Sequence, residues 1–556
     1  VTLTLPGFRI KDLLQAGTKS VIYRGMRDVD ARPVVIKGLR PEQCSAHNIE
    51  QLKHEYAIAQ QLNLPGTLQV LGLEIDRGVP YLIFEDFGGR SLDQVLSNFC
   101  EPAAFLTIAV PIVEALAQIH QHHIVHKDIK PQNILINLNT HQVKIGDFGL
   151  AAFLPYDSQI ISHSKRIEGS LPYLSPEQTG RMNRGIDQRS DLYSLGVTFY
   201  EILTGQLPFQ GNDPLEWIHC HIAKTPIAPN AINSAIPQVL SDVIMKLLSK
   251  VAEERYQSAI GLQTDLERCL QAWETAREMP LFAIAQQDIS DRLQIPQKLY
   301  GRESELAKLL TVFERVATTE KPELILVSGY SGIGKSSLVN ELHKPIVQTR
   351  GIFISGKFDQ YKRDIPYATI VQAFQGLVRQ LLTESEEKLV VWRDRIQSAL
   401  GKNGKLITDV IPEVALIIGE QPAIPELGSA ESQNRFNLIF QNFIDVFAQS
   451  AHPLAIFLDD MQWADSATLN LIQTIATGSN LQSLCFLLAY RDNEVDPSHP
   501  FSLMVEKLRQ QEILCTEIVL SPLDLGCVNQ LIADTLRCSL EQTEPLAQLV
   551  LQKTDG

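Results

Sequence analysis

The chain has 556 residues, 44% of them hydrophobic and 20% charged, with a formal net charge of −15 at pH 7. That length exceeds what one hydrophobic core organises, so two or more domains are expected. The acidic balance argues against a general binder of nucleic acid or of anionic membrane.

In chain order, residues 8–87 alternate short β-rich runs with turns: "SVIYRGM", "PVVIKGL", "LQVLGLEID" and "PYLIFEDF". A helical stretch, "NIEQLKHEYAIAQQL", interrupts them, and from Ser91 to about Arg277 the signals are mostly helical. Along these elements lie "VVIK" (34–37), "HKDIKPQNIL" (126–135), "GDFGL" (146–150), "EGSLPYLSPEQ" (168–178), "RSDLYSLGVTFYEILTGQLPF" and "EERYQS". In that order they resemble the eukaryotic-type (Hanks-type) serine/threonine protein kinases, over roughly half the chain.

The resemblance implies roles for particular residues. Lys37 would grip the α- and β-phosphates of ATP, positioned by Glu55. Asp128 would accept the proton of the substrate hydroxyl, and Asn133 and Asp147 would hold Mg2+. Lys130 and Ser170 point to serine or threonine acceptors in a protein substrate. Leu14, Gly17 and Ile22, with main-chain groups of Glu85 and Phe87, are expected around the nucleotide. His126 then reads as a packing residue, Asp191 as the brace of the catalytic loop, and Arg255 as the partner of Glu177.

Two departures stand out. Where the family has G-x-G-x-x-G, "LLQAGTKSVIY" keeps only Gly17, which should loosen ATP binding because glycines let backbone amides approach phosphate closely. Lys127 stands where many kinases have Arg, so clamping of a phosphorylated Ser158, Ser162 or Ser164 is expected to be weak.

After "LERCLQAWETARE", Pro280 and Pro296 bracket a connector, and "KLYGRESELAKLLTVFERV" opens a new domain. The strand "LILVSG" runs into "GYSGIGKSS" (329–337), a G-x-x-x-x-G-K-[ST] loop in its proper context of strand before and helix after. Its amides, with Gly329, Gly332 and Gly334, would cradle phosphates. Lys335 would reach the β/γ oxygens, and Ser336, followed by Ser337, would meet magnesium. "PLAIFLDDMQWAD" (453–465) ends an apolar strand in two carboxylates, Asp459 for the metal shell and Asp460 to orient or activate water. "LCFLLAYRDNEV" places Arg491 at the next strand's C-terminal edge, as a γ-phosphate sensor or as a structural ion pair. Together these resemble the AAA-type modules of STAND signalling ATPases. The resemblance implies a nucleotide switch and self-association, and is shared with large bacterial kinase–ATPase proteins that continue into GAF and histidine-kinase modules.

Eight cysteines are scattered singly without a CxxC pair, which fits reduced thiols and a cytoplasmic location. No apolar run reads as reaching the roughly eighteen residues that span a bilayer, and no signal-peptide pattern opens the chain. His219, Cys220 and His221 are adjacent, so a helix would point them apart, and zinc is not expected. The first residue, Val1, and the ending "LQKTDG" suggest a piece of a longer polypeptide.

The expected fold is multidomain. A bilobal α+β kinase domain (8–275, small lobe 8–87, large lobe 88–275) is followed by a linker (276–297), an α/β P-loop ATPase with a parallel sheet (298–500) and the start of a helical region (501–556). Three functions remain open: an active kinase under ATPase control, a pseudokinase–ATPase scaffold, and an ATPase-driven transcription regulator, for which no helix-turn-helix signal is visible.

Overall fold

The computed structural model describes residues 4–154, 168–180, 185–288, 295–296, 298–319, 321–349, 351–360, 365–382, 384, 386–425, 429–450, 452–478 and 483–556. The chain divides into two compact units, one of residues 1–212 and 224–292 and the other of residues 213–223 and 293–556.

The first unit begins with strands β1 (Phe8–Ala16), β2 (Ser20–Arg27), β3 (Pro33–Leu39), β4 (Val70–Asp76) and β5 (Val79–Glu85). They form one antiparallel sheet in the order β1-β2-β3-β5-β4. Helix α1 (Ala46–Gln61) starts at Ser45, whose hydroxyl accepts the N–H of Asn48 and so satisfies one orphan donor of the first turn. Leu52 of α1 packs on Leu39, Leu82 and Phe84, which turns the preceding sheet and this helix into one small lobe.

The larger lobe is built on α2 (Pro102–Gln121), α3 (Gln188–Thr204), α4 (Gln238–Leu247) and α5 (Ala259–Ala276). Their apolar faces meet in one core, where Phe105 and Phe199 make an edge-to-face pair at 5.0 Å. Two short antiparallel strands, β6 (Ile134–Ile136) and β7 (Val143–Ile145), fix the loops on either side of them.

Helix α2 departs from the sequence reading, since it is long and apolar enough to cross a membrane. Its apolar residues are instead spent on the lobe: Phe105, Leu106, Ile108, Ile112, Val113, Leu116 and Ile119 are all buried in the core. The segment expected as a linker from 276 also begins differently. Met279, Phe282, Ile284 and Ala285 pack back on the large-lobe core. Asp288 accepts the N–H groups of Gln257 and Ser258 at 2.6 and 2.9 Å.

In the second unit, β8 (Glu323–Ser328), β9 (Ile352–Lys357), β10 (Leu454–Asp459), β11 (Leu484–Tyr490) and β12 (Cys515–Val519) form a parallel sheet. Its order is β9-β10-β11-β8-β12. Alternate residues of each strand enter opposite cores. Ile325 and Val327 face α6 (Glu303–Thr319), while Leu324 and Leu326 face the side of α8 (Ala368–Leu381), α9 (Ser429–Asp445) and α10 (Ser466–Thr477). Burial on both faces explains why β8, β10 and β11 read as nearly unbroken apolar runs. The short α7 (Lys335–Asn340) follows the glycine loop.

The boundary expected at 500 is overturned. Strand β12 lies beyond it and completes the sheet beside β8, preceded by α11 (Pro500–Gln510). The helical region proper comprises α12 (Leu525–Leu536) and α13 (Leu540–Thr554), joined through Val528, Ile532 and Ala547.

Candidate active sites

In the first unit, Lys37 lies on β3 opposite Ile22 of β2 and Leu82 of β5. Its Nζ donates to both oxygens of Glu55 and to Asp147 Oδ1, each at 2.8 Å. Burial works to lower the Lys37 pKa, but Asp147 and Glu55 outweigh it and raise it. Burial pushes Glu55 up to about 7, with Lys37 opposing. Asp147 would also rise by burial, yet the ammonium beside it holds it at about 2. Asp147 has φ 65°, a conformation uncommon for a non-glycine residue, held here at a site of three converging charges.

The loop after α2 hangs on Asp191. Its buried carboxylate accepts the N–H groups of His126 and Lys127, both at 2.8 Å, and lies 2.9 Å from His120 Nε2. His126 is fully buried, with Nε2 3.0 Å from the Gly146 carbonyl and its ring against Phe148, consistent with packing. This fixes Asp128. Its Oδ2 accepts from Lys130 Nζ at 2.5 Å and Asn133 Nδ2 at 3.2 Å, and its Oδ1 accepts the Ser170 N–H at 3.0 Å. Lys130 also donates to Ser170 Oγ at 2.6 Å. Asn133 gives its amide nitrogen to the Asp128 carbonyl as well, so its side-chain oxygen is the atom left for a cation.

Around the expected adenine position the picture is sharper than the sequence allowed. The Phe87 carbonyl already accepts from Asn137 Nδ2 at 2.6 Å, which engages one of its two lone pairs. The Glu85 carboxylate pairs with Lys144 and accepts the Gln69 N–H, and Asp86 pairs with Arg24 at 2.6 Å. Leu14 sits exposed on β1, and Gly17 closes the β1–β2 turn by donating its N–H to the Ser20 carbonyl at 2.9 Å. Ser158, Ser162 and Ser164 lie outside the described residues.

In the second unit, Gly329, Gly332 and Gly334 have φ of 146°, 84° and 102°, conformations that favour glycine. A Cβ at Gly332 or Gly334 would meet nothing within 4 Å, so both face open space where a phosphate can approach the backbone. The buried Lys335 turns its Nζ onto the Gly329 and Tyr330 carbonyls, at 2.7 and 2.8 Å. Burial lowers its pKa, only partly offset by Asp459 and Asp460. Ser336 Oγ donates to Asp459 Oδ2 at 2.9 Å, which brings together the two groups expected to hold magnesium, whereas Ser337 is exposed.

Asp460, at φ 58°, is more engaged than a free base would be. Its Oδ1 accepts from Gln462 Nε2 at 2.9 Å and lies 3.4 Å from Arg491 Nε, while its Oδ2 is 3.2 Å from Lys357 Nζ. Arg491 also pairs with Glu494 at 2.7 Å and lies over the Trp463 ring. The motifs in the sequence assign no role to Gln462 or Lys357. A lysine closing a strand of an open α/β sheet faces the ligand edge, which is the signal that could have found the second of them.

The residues present fit ATP and a divalent cation at both places: an ordered set of acid, amide and lysine in one, and an open glycine cradle with a serine–aspartate pair in the other. The fold and these sites define a two-lobed protein kinase followed by a P-loop ATPase. Residues 8–267 match the protein kinase domain family and residues 298–487 the AAA ATPase domain family. The chain thus carries a protein kinase domain fused to an AAA ATPase domain.

It is 31% identical over 602 aligned positions to hybrid signal transduction histidine kinase G of Dictyostelium discoideum, covering 81% of this chain and 17% of that protein. It is 28% identical over 410 positions to histidine protein kinase 1 of Candida albicans, covering 66% of this chain and 16% of that relative. With the serine/threonine-protein kinase PknB of Mycobacterium leprae it shares 34% over 269 positions, 47% of this chain and 42% of PknB. The chain therefore spans less than half the length of each of these relatives.

Proposed function

We propose that this protein is cytoplasmic and that its first unit transfers the terminal phosphoryl group of ATP to serine or threonine hydroxyls of a protein substrate. The second unit, in this reading, is a nucleotide-dependent switch that governs that activity within a signal-transduction protein. Bound ATP with magnesium supplies the transferable group and part of the charge that screens it.

The observation that carries the kinase reading is the set of contacts on Asp128. Lys130, Asn133 and the Ser170 N–H fix both its oxygens, so the carboxylate is positioned to take a proton from an acceptor hydroxyl. Lys130 places a cation beside the same point, and its bond to Ser170 ties that cation to the segment before Glu177. Lys37, oriented by Glu55 and Asp147, presents its charge to the remaining phosphates. Phosphoryl transfer needs little covalent help, so charge held in place beforehand accounts for most of the rate.

The switch reading draws on the Ser336–Asp459 contact, which ties the glycine loop to the sheet edge, and on the Asp460–Arg491 contact, which ties β10 to β11. A switch needs unequal affinity for two conformations, and these contacts are where bound nucleotide can create it.

The test is phosphate incorporation from labelled ATP by the purified chain, with mapping of the modified residues. Serine or threonine should be labelled, and Asp128→Asn should abolish labelling while nucleotide binding stays near that of the unmutated protein. Equal labelling by Asp128→Asn would end the kinase reading. A non-catalytic scaffold is the second reading, favoured by a β1–β2 turn with Gly17 as its one glycine. No incorporation by the unmutated chain would support it.

A further inference from the structure

Lys357 ends β9, in register with Asp459 on the neighbouring β10. Its side chain is 67% exposed, yet its Nζ lies 3.2 Å from Asp460 Oδ2 and 3.9 Å from Asp459 Oδ2. One ammonium on a long, solvated stem therefore bridges the two acidic groups at the mouth of the glycine loop. Asp459 is at the same time the acceptor of Ser336 Oγ. Lys335, the loop's own lysine, is buried and turned onto loop carbonyls.

These two lysines differ in what they can do. Lys335 is held by the loop and meets whatever phosphate the loop holds. Lys357 reaches the acids from the adjacent strand and is free to swing, because most of its surface is in water. A divalent cation arriving between Ser336 and Asp459 would repel the ammonium from the acid pair. A terminal phosphate beside that cation would attract it. A diphosphate presents no such group at that depth.

We infer that Lys357 is a specificity-determining residue of the second site. It neutralises Asp459 and Asp460 when no triphosphate is present, and it transfers to the terminal phosphate when ATP binds. The transfer releases one partner of Asp460, leaving Gln462 and Arg491 to orient it. This rests on the reading of that site as a nucleotide switch and supplies a way for it to tell ATP from ADP.

The experiment measures affinities for fluorescent ATP and ADP analogues with magnesium, in the full chain carrying Lys37→Met. Only binding that Lys335→Ala abolishes is counted. Lys357→Gln should weaken ATP about tenfold, the worth of one charge-assisted hydrogen bond, and change ADP by less than about twofold. Lys357→Arg should restore most of the ATP affinity. An equal loss for both nucleotides, or no loss of ATP, overturns the role of Lys357 and leaves the site reading intact. Absence of any Lys335-dependent binding before Lys357 is changed overturns the site reading, and the role of Lys357 with it.

Discussion

Arg255 holds Glu177 through two guanidinium bonds, at 2.7 and 2.9 Å, with both side chains closed off from water. Ser190 Oγ adds a third donor at 2.6 Å. Burial alone would raise the Glu177 carboxyl, but Arg255 brings it from 4.5 down to about 2. A depressed folded value means that the contribution is fully present above the unfolded pKa and fades as the pH falls towards the folded one. Glu177→Gln, which leaves a buried guanidinium unpaired, should cost about 3–5 kcal/mol near neutrality. The difference from the unmutated chain should narrow as pH falls from about 4.5 to about 2. Hydrogen-exchange protection of α3 in the full chain, followed across that range, is the measurement. A pH-independent difference would contradict the assignment.

The two nucleotide sites should separate by mutation, because Lys37 and Lys335 belong to different compact units. Lys37→Met is expected to silence protein phosphorylation while Lys335-dependent nucleotide binding persists. Lys335→Ala should remove that binding, keep basic phosphotransfer and disturb its regulation. Filter binding and labelling assays on the two variants decide the matter. If Lys335→Ala leaves nucleotide binding, assembly state and kinase output unchanged, the second unit is a scaffold with an idle loop.

Asp459→Ala should blunt any difference between ATP and ADP in protease sensitivity of the second unit. The carboxylate is the partner of Ser336 Oγ, so its loss removes one of the two groups placed to hold magnesium. Limited proteolysis with each nucleotide reads this out. Digestion patterns that still differ as much as before would place the sensing elsewhere.

Gly261 lies on α5 where a Cβ would come within 2.7 Å of the Asp288 Cα. Alanine is the better helix former by up to about 1 kcal/mol, so propensity alone predicts that Gly261→Ala stabilises. The contact predicts the reverse, since Asp288 must leave the Gln257 and Ser258 N–H groups and Ser258 Oγ. Faster proteolysis around residues 279–288 is the expected result, with phosphotransfer within about threefold because Lys37 and Asp128 are untouched. Asp288→Ala should behave alike. Protection of that segment in both variants would show that the packed apolar residues hold it unaided.

Much of this was legible in the sequence for a definite reason. Lys37, Asp128, Asn133, Asp147, Lys335 and Ser336 sit in short motifs whose spacing is set by a strand, a turn or a loop, and local spacing survives in one dimension. Lys357, Gln462 and Asp288 carry no such signal. Lys357 and Asp288 act on residues far along the chain, Gln462 acts on Asp460 without a motif role of its own, and a lone Lys, Gln or Asp has many ordinary explanations. The last strand of the ATPase sheet leaves little trace in the sequence because "CTEIV" is short and half polar, as an outer strand with one neighbour can be. The segment after α5 read as a connector because Pro280 outweighed the apolar Phe282 and Ile284 around it.

Helix α2 has a consequence for how the chain is made. Between Pro102 and Gln121 it carries one charged residue, Glu114, and its cover includes α3 and α5, the latter beginning only at Ala259. At ~5–20 residues per second, the ribosome delivers that last cover on the order of 10 s after α2 has emerged. For that interval a segment with the length and composition of a membrane span is exposed in a growing chain. Nascent chains stalled near residue 200 should therefore be captured by chaperones that bind apolar segments more strongly than chains stalled beyond residue 288, and equal capture would count against this.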